Sequence, residues 1–428
     1  MSFFRNNVAP TANAADCLQN RDNPWLHRFA ILTAVATFCL LGVGGLVTSH
    51  GVGMAVPDWP NTYGYNMFLF PISKWVGGVF YEHSHRLAAS AVGLLTTILA
   101  LWLYGRSARG FMRWAGAILF GLSGVTLVAA PGHTADGLVL AGVGLGAFSV
   151  SWIWPRREPA PKWLRRLGLI GFAAVVLQGA LGGLRVVLLK DQLGIFHATL
   201  AQLFFSLSCA LALFTSRWWQ SRALVPERAQ GAGSLTWLLT GATALILFQL
   251  VLGATMRHQH AGLAIPDFPL AYGKVWPAID PSAVAQYNRH RLEVTALNDI
   301  TAFQIVLQMV HRLVAVLIVS ALGICVWLAH KQGPKDSSVK VLCWAWLGVI
   351  LVQAVLGAAT IWSNKAADIA TAHVLVGAVS LAFGTMMSII SCQDRVLARQ
   401  MPARLVSTAA SLSPLVPQAA PLQKLNAI

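Results

Sequence analysis

Apolar residues in this chain gather in unbroken stretches of about twenty. They do not alternate as in a half-buried strand, nor do they form the one-sided stripe of a surface helix. A bilayer core takes about 20 apolar residues per helix, and ten stretches meet that length: 27–49, 82–104, 111–130, 137–154, 164–187, 194–216, 235–256, 303–329, 339–362 and 369–392. The pattern predicts an all-α polytopic membrane protein of about ten spans. The third and fourth stretches are the shortest and are rich in glycine. No cleavage signal follows the first apolar run, so it is expected to remain as the first span.

Composition agrees. Hydrophobic residues make up 56% of the 428 positions and charged residues 11%, against roughly a quarter charged in soluble domains. This excludes a soluble enzyme, a disordered chain and a disulfide-stapled secreted domain. The net charge of +16 does not signal nucleic acid, because the basic residues cluster between apolar stretches. By alternation of loops, 21 of the 31 Lys and Arg residues fall on one side, which predicts that both termini are cytoplasmic. The partner of those loops is the anionic lipid surface. The long loops 50–81 and 257–302 then face outward. Six cysteines occur without any Cys-x-x-Cys, so neither a zinc knuckle nor covalent haem attachment is indicated.

The chain repeats itself. SHGVGMAVPDWPNTYG (49–64), EHSHRLAAS (82–90), QGALGG (178–183) and HATLAQ (197–202) return in order as HAGLAIPDFPLAYG (260–273), QMVHRLVAV (308–316), QAVLGA (353–358) and HVLVGA (373–378). Asp58 to Asp267 is 209 residues, His85 to His311 is 226, Gln178 to Gln353 is 175 and His197 to His373 is 176. The drop of 51 marks an insertion in the first half, coincident with the third and fourth stretches. Two four-helix units in the same orientation are therefore expected, related by a parallel pseudo-two-fold axis. The expected divisions are a cytoplasmic tail 1–26; a first half 27–218 with an inserted hairpin at about 105–160; a linker 219–234; a second half 235–392; and a disordered tail 393–428 rich in Pro, Ser and Ala.

Four of the twelve histidines, His85, His197, His311 and His373, recur at matched places, about one turn inside the outer end of a predicted span. Ionisable or ligating groups in a membrane are costly and mark function. Two imidazoles on facing helices can hold a haem iron from both sides. Hydrogen-bonded helix packing is the structural alternative for any one of them. Arg86 and Arg312 each follow such a histidine and are candidates for haem carboxylates, with snorkelling as the alternative. Glu82 shares a helix face with His85, whereas Gln308 stands at its place in the second half. Asp58 and Asp267 lie in Pro-Asp turns expected to cap a pocket. Gly182, Gly183 and Gly357 suit close helix approach. His258 and His260 could bind a metal but read more simply as loop residues.

The PDWP loop, the Glu-x-x-His-Arg motif at 82–86, the Gln-x-x-Leu-Gly segments and the paired histidines resemble the haem A synthase family. The resemblance covers both halves outside the tails and 105–160. It implies two four-helix bundles and oxidation of the C8 methyl of haem O to a formyl group, giving haem A for cytochrome c oxidase. It further implies that His85 and His197 hold the substrate haem, that His311 and His373 hold a haem b cofactor through its iron, and that Glu82 is catalytic. Partners implied are haem O synthase, cytochrome c oxidase assembly factors and a second copy of the chain. The electrons are expected to leave to a membrane acceptor of the quinone type, and the lack of a clear organellar presequence favours a bacterial plasma membrane over a mitochondrial one. Many bacterial members carry loop cysteines where this sequence has Val56, Thr62, Ile265 and Ala271. The competing readings are a di-haem b electron-transfer protein and a transporter built from parallel repeats.

Overall fold

The computed structural model describes residues 23–222, 232–290, 299–332 and 338–400. Among these, twelve α-helices occur and no strand. Nine apolar stretches are long enough to cross a membrane. One of them, Gly77–Ala129, holds two helices separated by a 3-10 turn at Gly105–Ser107. Ten membrane-length helices result: α1 (Pro24–Ser49), α2 (Gly77–Tyr104), α3 (Ala108–Ala129), α4 (Thr134–Ile153), α5 (Lys162–Val187), α6 (Gln192–Thr215), α8 (Ala232–His258), α10 (Ala302–Gln332), α11 (Ser338–Trp362) and α12 (Ala367–Gln400). The short helices α7 (Arg217–Arg222) and α9 (Pro281–Arg289) complete the set. The chain is thus the all-α, multi-pass membrane protein that the apolar pattern predicts.

Local chemistry sets the ends. The Asn23 side chain accepts the Leu26 N–H ahead of Pro24 at the first helical position, a polar cap followed by a residue with no N–H to satisfy. Gly105 stops α2 at φ +55°. Within the spans, hydroxyls turn back on their own helix: Thr33 donates to Phe29 O, Thr37 to Thr33 O and Thr96 to Val92 O. No polar side chain of that kind need face lipid unbonded.

The duplication is visible in the packing. In the first half α1 meets α2, α2 meets α5, α5 meets α6 and α6 closes on α1. In the second half α8, α10, α11 and α12 close the same ring. First and fourth helices of the two rings face each other, α12 against α1 and α6, and α6 against α8. Phe205, Ala378 and Ala382 form the buried apolar seam. The inserted helices α3 and α4 pack chiefly on one another. A β-carbon on Gly116 would lie 2.7 Å from Gly144 O, so both glycines are needed for that approach. The hairpin is tied to the first long loop by Asn66 Nδ2 donating to Asp136 Oδ1 at 2.8 Å.

Several boundaries differ from the sequence reading. Helix α2 begins at Gly77, five residues early, so His85 sits about two turns in rather than one; the Gly-Gly-Val-Phe-Tyr segment winds as helix despite its small residues. Helix α12 continues to Gln400, beyond the expected end at Cys392, and Arg395 lies over the Trp237 ring. The tails 1–22 and 401–428, and most of the linker, lie outside the described residues. The second long loop contains α9, which the hydropathy pattern misses because the helix is short and polar. Asp280 caps it, and the Ser282 hydroxyl and Ala283 N–H hold that carboxyl below its usual range.

The loop indole Trp59 lies where a side chain at Gly183 of α5 would sit. Gly183→Leu is therefore expected to lower the unfolding temperature in detergent, by about 1–3 kcal/mol of overpacking. Gly179→Leu, one turn away with open space around it, is the matched control. Equal thermal shifts for the two variants would disprove the contact.

Candidate functional site: two histidine pairs under clamped loops

The two Pro-Asp loops are built alike, atom for atom in places. Asp58 accepts the N–H groups of Tyr63 and Gly64, both at 2.8 Å; Asp267 accepts those of Tyr272 (2.7 Å) and Gly273 (2.8 Å). Tyr63, Gly64, Tyr272 and Gly273 all take positive φ, the geometry of a tight turn. Each tyrosine hydroxyl donates back into its loop, to Ala55 O or Ala264 O. The Trp59–Pro60 and Phe268–Pro269 bonds are both cis. The two aspartates thus fasten their own turns.

Each loop is fastened to the second helix of its half by one arginine. Arg86 donates to the carbonyls of Asp58 (2.7 Å), Asn61 (2.9 Å) and Val56 (2.9 Å). Arg312 donates to Asp267 O (2.7 Å) and Leu270 O (2.9 Å), the repeat partners of Asp58 and Asn61. The residue four places earlier completes the clamp. Glu82 accepts the Val56 N–H at 2.8 Å and pairs with Arg86 at 2.8 Å. Gln308 accepts the Ile265 N–H at 2.8 Å and returns its amide to Ile265 O at 3.2 Å. Glu82 and Gln308 are 4% and 2% exposed, so the acid is a buried ion pair, not a helix-end carboxylate. Val56, Thr62, Ile265 and Ala271 are wholly buried. Packing and the arginine clamp hold these loops.

Beneath the loops lie the four repeated histidines. Each imidazole rests against a glycine of a neighbouring helix. A β-carbon at Gly44 would lie 2.9 Å from His85 Cε1, at Gly182 3.4 Å from His197, at Gly253 3.4 Å from His311, and at Gly357 3.1 Å from His373. The glycines keep the repeat offsets, 209 for Gly44 and Gly253 and 175 for Gly182 and Gly357. Sequence reasoning had singled out Gly182 and Gly357 but not Gly44 or Gly253, whose spacing alone could have found them. Nδ1 of His85, His197 and His311 is buried without a partner, and His373 Nδ1 meets Gln353 O at 3.1 Å. None of the four Nε2 atoms is enclosed in this way. Gln178 and Gln249 bind the backbone carbonyls of His197 and His311. His85 lies within electrostatic reach of His197, and His311 of His373. The site therefore has two imidazole pairs, one per half, each nitrogen edge held by glycine packing and each Nε2 left available.

Among the described residues no cluster of three or more His, Cys, Asp or Glu could hold a metal ion. Two separated imidazole pairs suit iron already held in a tetrapyrrole, which asks for two axial donors only. His258 departs from the loop expectation: it ends α8, is buried, and packs where a side chain on Gly194 of α6 would be. His260 is exposed, with φ +52°. A further histidine, His83, is fully buried beneath Phe70 and Trp75 and meets Thr62 Oγ1 through Nδ1 at 3.1 Å; its repeat partner is Met309, so the duplication gave no signal for it.

A duplicated four-helix membrane frame presenting paired histidines defines the class of protein. Residues 137–385 match the model of the cytochrome oxidase assembly protein family, and the chain belongs to that family. It is similar to proteins named heme A synthase: 26% identical over 382 residues to one from Bacillus cereus strain G9842, covering 87% of this chain and 93% of the relative. One from Bacillus anthracis strain A0248 is 26% identical over 361 residues, covering 82% and 87%. The resemblance read from the motifs is thus borne out.

The clamp makes a local prediction. Arg86→Gln should speed tryptic cleavage after Lys74 by about tenfold or more while leaving Lys274 unaffected, and Arg312→Gln should do the reverse. The size follows from charge-assisted hydrogen bonds worth about 1.5–3 kcal/mol each. Unchanged cleavage in both variants would show that the loops are held by something else.

Proposed function

We propose that this protein is an enzyme of haem A biosynthesis that oxidises the C8 methyl of haem O to a formyl group for cytochrome c oxidase assembly. The observation that carries the reading is an asymmetry at the clamp of an otherwise duplicated loop. Glu82, one turn from His85, is an acid, whereas Gln308 performs the same backbone clamp without charge. A passive pair of equivalent haem sites gives no reason for that difference. On this reading His85 and His197 hold the substrate haem O, and His311 and His373 hold a resident haem b. Haem b, when bound there, supplies a one-electron acceptor.

The chain's own residues do the rest. The four glycines fix the plane of each imidazole, and the clamped loops shield the histidine ends from water. Two of the oxygen lone-pair sites of Glu82 are taken by Val56 N–H and Arg86. The carboxylate keeps acceptor capacity beyond these two bonds. It therefore stabilises positive charge developing at a nearby methyl carbon and accepts the proton released there. With water as the oxygen donor, conversion of the methyl to a formyl group releases four electrons and four protons, and the electrons pass to a membrane acceptor of the quinone type. The positive bias of the loops supports a reading in which both termini lie on the cytoplasmic side, with the histidine pairs near the outer face, in a bacterial plasma membrane. Haem O synthase is the upstream donor, and oxidase assembly factors and further copies of the chain are partners.

Extraction of the haems from protein purified with and without co-expressed haem O synthase tests the reading. Haem A is expected only with that partner, alongside haem B in both. Haem B alone in both would favour an electron-transfer protein. The acid is tested separately. Glu82→Gln should keep the loop clamp, as Gln308 does, and retain bound haem, yet convert haem O about 10²-fold more slowly. Parental conversion by this variant would remove Glu82 from the chemistry.

A further inference from the structure

Arg86 and Arg312 spend their guanidinium groups on loop carbonyls. Two other arginines stand beside the histidine pairs. Arg185, near the end of α5, follows by one turn Gly182, the glycine against His197, and is within electrostatic reach of both His85 and His197. Arg257, near the end of α8, follows by one turn Gly253, the glycine against His311, and is within reach of His373. Neither is repeated: their partners by offset are Thr360 and Thr48. The two arginines also feel each other across the seam between the halves.

The surroundings of this cation pair are poor in negative charge. Arg257 bonds only through Nη2, to Gly45 O at 2.6 Å and to Ser49 Oγ. Both partners are neutral, and Nη1 and Nε make no hydrogen bond among the described residues. Ser49 is in turn bonded to Thr371 of α12 at 3.1 Å, which fixes the guanidinium at the seam. Arg185 has one acidic partner, Asp191 at 3.0 Å, itself 45% exposed. Its Nη1 lies 2.9 Å from where a side chain on Gly53 would begin, and its Nε is buried without a partner. Two like charges held together in a low-dielectric setting repel strongly. Burying them is tolerable only when anions complete the site. The guanidinium fork matches a carboxylate.

We infer that Arg185 and Arg257 are the carboxylate-binding residues of the two histidine sites, each taking an acidic arm of the tetrapyrrole held in its own half. The inference rests on the haem reading above and deepens it. It assigns the anion contacts to one arginine per half at the seam, rather than to the arginines that follow the histidines. The two anion sites adjoin, so the occupant of one half is sensed electrostatically by the other.

The test compares haemin with its dimethyl ester, which keeps the iron and ring but carries no charge on its arms. Full-length protein from haem-limited cells is titrated with each in detergent, followed by the Soret band. The unaltered protein is expected to bind haemin at least tenfold tighter than the ester. Arg257→Gln and Arg185→Gln should each shrink that preference by weakening haemin binding and leaving ester binding unchanged. Arg257→Lys should keep part of it, and Arg312→Gln all of it. Size-exclusion elution and helical circular dichroism establish that the variants fold. No preference for haemin in the unaltered protein overturns the inference, as does the parental ratio in both glutamine variants. Failure of the unaltered protein to bind either compound is a different result, because it overturns the haem reading itself.

Discussion

The structure depends on one repeated interaction, the capture of loop carbonyls by an arginine two turns into a membrane helix. Arg86 and Arg312 each gather the carbonyls at the two ends of a Pro-Asp turn. In a membrane, an irregular loop is tolerated only where protein satisfies its backbone. The clamp does this and neutralises none of the arginine's charge except through Glu82. The loop can then lie directly over the helix ends, Trp59 can settle against α5, and the histidines beneath are covered. Val56, Thr62, Ile265 and Ala271 of these loops are wholly buried. A polar clamp of this kind needs no oxidant to form.

The frame was largely legible in the sequence because a bilayer leaves few choices. Runs such as 27–49 and 369–392 can only be helices, and the matched PDWP and PDFP segments reveal the duplication in the sequence itself. What failed had physical causes. Helix α2 starts five residues early because hydropathy windows register apolarity, not backbone conformation. Helix α9 escapes the hydropathy pattern because nine residues of mixed polarity carry no span signal, although Asp280 followed by Pro281 is a readable helix start. The histidines were found because they repeat, and His83 was passed over because Met309 replaces it.

The arginines show a subtler limit. Adjacency in sequence suggested Arg86 and Arg312 as partners for acidic ligand arms. On a helix, however, the next residue points about 100° away from its neighbour, toward the loop rather than toward the space between imidazoles. Arg185 and Arg257 lie on other helices altogether, and neither is repeated. Only the assembled bundle brings them beside the histidines. His258 follows the same logic: it reads as a loop residue, yet closes onto Gly194 across the seam between the halves.

Duplication with selective loss of symmetry therefore organises the molecule. The clamp, the turn, the glycine under each imidazole and the ring of four helices are kept twice. The acid at Glu82, the arginine at 185 and the arginine at 257 are kept once. Features kept twice answer constraints that each half meets alone: covering a histidine pair and satisfying a buried loop. Features kept once are not demanded by the shared frame, since the other half folds with Gln308, Thr360 and Thr48 in their places. Glu82 makes the argument sharpest, because Gln308 satisfies the same backbone N–H without the desolvation cost of a buried carboxylate. On the proposed reading, the charge retained in one half alone serves a task that an amide cannot perform there.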